Sequence, residues 1–143
     1  MECGEARGEE ADLTLGPRRD GDAARRLVLG QGAYYAATGL WPLLHMRSFE
    51  AVTGPKREDW LVKTVGVLVT AIAGTLLVAG RRRRVPSEVA LLAVSSAVGL
   101  GAIDVLYAAR GRIARIYLAD AVVEAALLAL WTRVRRRQSA ALA

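Results

Sequence analysis

The sequence predicts an all-α fold, an integral membrane four-helix up-down bundle, and three observations carry that prediction. Hydrophobic residues make up 53% of the 143-residue chain, yet 24% of its residues are charged. The charges fall in short blocks separated by apolar runs of about 18 to 22 residues, the length that crosses a ~30 Å hydrocarbon core at ~1.5 Å per residue. The runs are continuous rather than alternating, and an open sheet cannot satisfy its edges in lipid, so strands are not expected.

Residues 1–24 are rich in Glu, Asp, Gly and Arg and have little apolar surface to bury, which predicts a disordered tail. The four-helix transmembrane domain follows over residues 25–133. Arg25 and Arg26 lead into the first span, 27–44. A charged start before an apolar run resembles a signal peptide. Here the run exceeds a usual signal core and no small-x-small cleavage site follows it, so an uncleaved span is expected. In the connector 45–60, Gly54 and Pro55 signal a turn, and Phe49, Ala51 and Val52 suit a short interfacial segment. The second span, 61–79, is stopped by the four arginines of residues 81–84. Pro86 and Ser87 open the third span, 88–109, with Ser87 placed as N-cap and Glu88 in the first turn. A tight turn at Gly111 leads to the fourth span, 113–131, and the Arg-rich run from Arg133 begins a basic tail over 134–143.

An even number of spans puts both termini on one side. The N-terminal tail, the second connector and the C-terminal segment hold thirteen of the basic residues, and the first and third connectors hold seven. That excess predicts a multi-pass inner-membrane protein with both termini in the cytoplasm.

The net charge is +6. Because the arginines flank apolar runs, they read as anchors of membrane helices, and no nucleic-acid partner is expected. Cys3 is the single cysteine, so no intramolecular disulfide and no cysteine metal cluster can form. The lone His45, beside Trp41 and Pro42, reads as an interfacial side chain, and neither a metal nor a haem is expected. There is no Walker loop or zincin motif. The GQG at 30–32 and GLG at 99–101 lie within spans and read as packing features. Ser95 and Ser96 have no histidine within reach. No catalytic residue and no cofactor follow from these residues.

Lipid tails are as apolar as Leu, so membrane helices associate through close packing and polar contacts. Rows of small residues fit that need: Gly66, Thr70 and Gly74 in the second span, Ala93, Ala97 and Gly101 in the third, and Ala121, Ala125 and Ala129 in the fourth. The fourth span also carries Asp120 and Glu124. A charged Asp near a span centre costs about 2.5 to 3.5 kcal/mol, while each Leu, Ile, Val or Phe returns about 0.3 to 0.6. Eight such residues in this span return on the order of 3 to 4 kcal/mol, which two central acids outweigh. This helix therefore needs partners inside the bundle.

Depth suggests the partners. Asp104 precedes Gly111 by seven residues and Asp120 follows it by nine, so an antiparallel hairpin sets them level. Two carboxylates that close resist carrying charge together, and a shared proton or a basic group relieves them. The sequence thus predicts an intramembrane polar cluster of Asp104, Asp120 and Glu124, met by Lys63 or Arg115 snorkelling inward and by the hydroxyl of Tyr34. Tyr35, Tyr107 and Tyr117 offer further hydroxyls. Such a cluster suits a proton relay, a ligand pocket or an ion path, and equally a set of hydrogen-bonded acids that orient the helices.

The first span ending "GLWPLL" and the following "SFEAVTGPKREDWLVKTVG" are similar to small bacterial four-helix membrane proteins of the DoxX-like kind, over residues 27–131. The resemblance implies four spans and, for some members, quinone-coupled redox chemistry, but it supplies no catalytic residue to carry over. The expected role is that of a small membrane component binding a small ligand or partner through its acids. The alternatives are a proton-coupled transporter subunit and an auxiliary subunit of a quinone-linked redox enzyme. The expected partners are the lipid bilayer and a second copy or another membrane protein.

Overall fold

A computed structural model describes the backbone of residues 5–55, 58–82 and 84–140, and the side chains from residue 21 onward except 138. Cys3, Lys56, Arg57, Arg83 and the last three residues of the basic tail lie outside the described residues. The described residues are all-helical, without strands: α1 (Glu5–Leu44), α2 (Met46–Thr53), α3 (Asp59–Gly80), α4 (Ser87–Ala109) and α5 (Tyr117–Ala140).

Helix α1 contains the expected span 27–44 but begins far earlier, at Glu5, where the composition predicts a disordered tail. Glu, Ala, Arg and Leu dominate that early stretch and favour helix by their intrinsic propensity. Pro17 lies inside it and removes one helical hydrogen bond. The interfacial segment forms as the short helix α2. His45 caps it, its Nδ1 accepting from the Ser48 N–H at 3.2 Å, and Trp41 packs edge-on against Phe49 at 5.7 Å. Gly54 ends α2 with φ +83°, a conformation that favours glycine.

Helices α3 and α4 match the second and third spans to within two residues at each end. Helix α5 departs from the fourth in two ways. It starts at Tyr117, because residues 110–116 are taken up by the turn at Gly111 (φ +63°), and it runs on through the arginines to Ala140. The basic tail is therefore helical over 134–140.

Among the described residues only α3 and α4 are long and apolar enough to cross a membrane by themselves. The sequence predicts four such spans. Helices α1 and α5 fall short because their apolar stretches are interrupted, α1 by Gln31, Tyr34 and Tyr35, and α5 by Asp120 and Glu124. These interruptions all lie at least partly buried, on the faces the two helices turn toward each other and toward α4.

The four long helices run alternately up and down. Arg25 Nε donates to the Gly80 carbonyl at 2.9 Å while Gly39 meets Gly66, so α1 and α3 are antiparallel. Gln31 bonds to Trp131 and Tyr35 to Glu124, so α1 and α5 are antiparallel too. The main pairings are α1 with α3 and α4 with α5, joined chiefly through α1 and α5. The core gathers Val28, Tyr35, Ala73, Leu76, Ala79, Ala93 and Trp131. This packing collects Arg25 and Arg26, the arginines after α3 and those of α5 at one end of the bundle.

Candidate functional site

On α5, Asp120, Glu124 and Trp131 recur at four and seven residues, which places them on one face of the helix. That face is the packed one: Glu124 is 1% exposed and Trp131 is buried. The alanine row of α5 lies to its side, with Ala125 and Ala129 exposed. On α1, Gln31, Tyr34 and Tyr35 share a face for the same reason, and Gln31 and Tyr35 are fully buried. Helix α4 closes the third side with Ala93, Ala97 and Asp104, all buried. A glycine sits where α4 comes nearest. A Cβ at Gly101 would stand 3.1 Å from the Glu124 Cβ, so the missing side chain makes room for the acid.

The polar groups form a directed chain. Trp131 Nε1 donates to Gln31 Oε1 at 3.0 Å. Gln31 Nε2 donates to the Ala93 carbonyl at 2.8 Å and to the Tyr35 hydroxyl at 3.2 Å. The Tyr35 hydroxyl donates in turn to Glu124 Oε2 at 2.9 Å. From Trp131 onward each donor hydrogen points toward Glu124, an ordering in which successive bonds polarise one another. One turn nearer Gly111, the Tyr34 hydroxyl donates to Asp120 Oδ1, and the Asp104 carboxyl lies beside that of Asp120 within hydrogen-bonding reach. A bond between two carboxyl groups needs one proton between them.

Two oxygens are left over. Asp104 Oδ2 and Glu124 Oε1 are buried without a hydrogen-bond partner, in residues only 7% and 1% exposed. A buried unsatisfied polar group costs about 1–3 kcal/mol. Both oxygens are therefore places where a proton, a donor group or a cation is stabilising. Among the described residues no three His, Cys, Asp or Glu side chains converge as metal ligands do.

Of the six residues singled out from sequence, the structure brings four together: Asp104, Asp120, Glu124 and Tyr34. Lys63 and Arg115 are exposed and do not join them. Lys63 sits on α3, whose buried face looks at α1, and Arg115 sits in the turn before α5. Tyrosine hydroxyls take the place that a cation has in the sequence reading. Gln31 and Trp131 are missing from that reading. The available signals were the four-residue step from Gln31 to Tyr35 and the seven-residue step from Glu124 to Trp131.

No family model matches the chain, and no curated protein or solved structure resembles it at a significant level.

Proposed function

We propose that the chain is a multi-pass membrane protein, a four-helix bundle that binds a small donor-bearing or cationic ligand at its buried carboxyl groups. The observation that carries this reading is an inverted distribution of polarity. Glu124, Asp104 and Gln31 are sealed inside, while Val67 (56%), Leu68 (59%), Leu91 (63%) and Val122 (69%) are exposed. Proteins in water place such residues the other way round. In lipid the arrangement is favourable, because exposed apolar faces meet acyl chains and buried acids find partners. Helices α1 and α5, too polar to span alone, become tolerable beside each other because their polar groups are mutually bonded. The arginines gathered at one end support a cytoplasmic placement of both termini. This architecture also accommodates the DoxX-like resemblance.

A second reading, proton-coupled transport by a small subunit, is favoured by the donor chain ending at Glu124. It differs in what crosses the bundle, a proton rather than a resident ligand.

Single cysteines at Gly54 and Arg82, introduced with Cys3→Ser, test the threading: an impermeant reagent should label them from opposite sides, and labelling from the same side refutes it. The site is tested by purification in mild detergent and mass spectrometry of co-purifying small molecules. The intact chain should retain a compound that Glu124→Gln and Asp104→Asn lose. Identical spectra from folded variants would remove the ligand reading. Proton-dependent uptake in vesicles, lost in Glu124→Gln, would select the transport reading instead.

A further inference from the structure

A second site lies at the basic end of the same α1–α5 seam. There the two helices diverge and leave a groove of about 550 Å³. Its walls carry Arg26, Arg133 and Arg137 toward the chain termini, and Leu27, Leu127 and Leu130 toward the bundle centre. Gln31 forms its inner end.

Three exposed arginines border the groove. Arg133 and Arg137 stand one helical turn apart, a spacing at which like charges repel. Arg26 faces the same space from α1. Among the described residues none of the three is ion-paired with a carboxylate, Asp22 one turn before Arg26 included. Guanidinium groups converging without a counter-charge suit a phosphate, which they bind through paired N–H donors.

The apolar part says what kind of phosphate. From Ala23 to Gln31 the groove follows α1 for eight residues, ~12 Å, close to the ~15 Å depth of one leaflet's hydrocarbon. Over that depth its lining passes from arginine to leucine, the order in which a leaflet passes from headgroup to acyl chain. A free anion has no use for the leucines, and a neutral amphiphile has none for the three arginines.

We infer that this groove is a binding site for an anionic phospholipid, its phosphate held by Arg26, Arg133 and Arg137 and an acyl chain laid along Leu27, Leu127 and Leu130. The inference rests on the membrane reading above but not on the acid site.

The test uses the full chain, delipidated in mild detergent and titrated with phosphatidylglycerol, phosphatidylcholine or sodium phosphate. Native mass spectrometry and the thermal midpoint are the readouts. One phosphatidylglycerol should be retained per chain and raise the midpoint, while phosphatidylcholine and sodium phosphate do neither. Arg26→Gln with Arg133→Gln and Arg137→Gln should weaken retention by about ten-fold or more. Replacing Arg81, Arg82 and Arg84 by Gln removes as many charges at the same end, outside the groove, and should leave retention within about two-fold. Equal loss in both triple variants, equal binding of phosphatidylcholine, or a full response to sodium phosphate alone would overturn the site. Glu124→Gln should bind the lipid as the parent does, so failure of the acid site leaves this result standing. A chain that needs no detergent to stay in solution would overturn both.

Discussion

Helix α1 is held on two adjoining faces by two different kinds of contact. Toward α3 the helices meet backbone to backbone. A Cβ added at Gly39 would lie 3.0 Å from the Gly66 carbonyl oxygen and 2.8 Å from Thr70 Oγ1, and one added at Gly66 would lie 2.8 Å from the Gly39 carbonyl oxygen. Toward α5 and α4 the contact is made by long polar side chains, Gln31, Tyr34 and Tyr35, each spending its hydrogen bonds across the interface. The first seam is close because its residues are small, and it leaves no space for chemistry. The second is filled by polar side chains whose hydrogen bonds end on the two acids of α5. On the membrane reading proposed above, lipid gives apolar side chains no reason to leave the surface, and packing and hydrogen bonding are the two ways to join helices. Here each is assigned its own side of one helix, and the side that uses hydrogen bonds is the one that carries the candidate site.

The largest effect is expected on the packed seam. Gly66→Ala forces the α1 and α3 backbones apart, since the atom it strikes is a carbonyl oxygen that cannot swing away. The cost should fall in the upper part of the ~1–3 kcal/mol range for overpacking, read as a lower unfolding midpoint in detergent. Tyr35→Phe comes next. It strips Glu124 of its donor and Gln31 of one acceptor without changing the packing, and should cost about 1–2 kcal/mol. If Tyr35→Phe proves the more damaging of the two, the polar seam holds the bundle together and the division drawn above is wrong.

These two seams were not equally legible in the sequence. The bounds of α3 and α4 were, because the signals that set them are local: an arginine run after Gly80, the turn glycine Gly111, and Pro86, which takes the N-cap position expected for Ser87 and leaves the helix without a side-chain cap. The level placement of Asp104 and Asp120 was legible for the same reason, since a short turn fixes the register of the hairpin. What joins α1 to α5 was not. Gln31 and Trp131 are one hundred residues apart, and nothing local distinguishes a glutamine that bonds across a bundle from one between two glycines that merely packs. The sequence offers the acids three ways to meet the cost of burial, a shared proton, a tyrosine hydroxyl or a cation from Lys63 or Arg115, and the two cations stay outside the cluster. Tyrosine hydroxyls meet part of that need at less desolvation cost, because they bring no second charge into the interior.

A third variant examines the distal link of the polar seam. Trp131→Phe removes the indole N–H together with the five-membered half of a ring that packs into the core, leaving Gln31 Oε1 without its donor and a small void beside it. A loss of about 1–2 kcal/mol is expected, part from the hydrogen bond and part from the void. If the donor chain tunes Glu124, the variant should also retain less of the co-purifying compound. A change in midpoint with unaltered retention would confine Trp131 to a structural part.

The smallest effect is expected within the same glycine-bearing row that gives the largest. Gly66 and Gly74 stand eight residues apart on α3, and from sequence they belong to one ridge. The structure separates them: Gly66 is pressed against Gly39, whereas a Cβ at Gly74 would meet nothing within 4 Å. Gly74→Ala therefore adds no clash and removes the backbone freedom that a helical glycine forfeits on folding. It should raise stability by roughly 0.5 kcal/mol, opposite in sign to Gly66→Ala. The midpoint should not depend on protein concentration. A lower midpoint together with loss of a dimer in detergent would mean that a second copy covers Gly74, and the small-residue row would then serve two interfaces, one within the chain and one between chains.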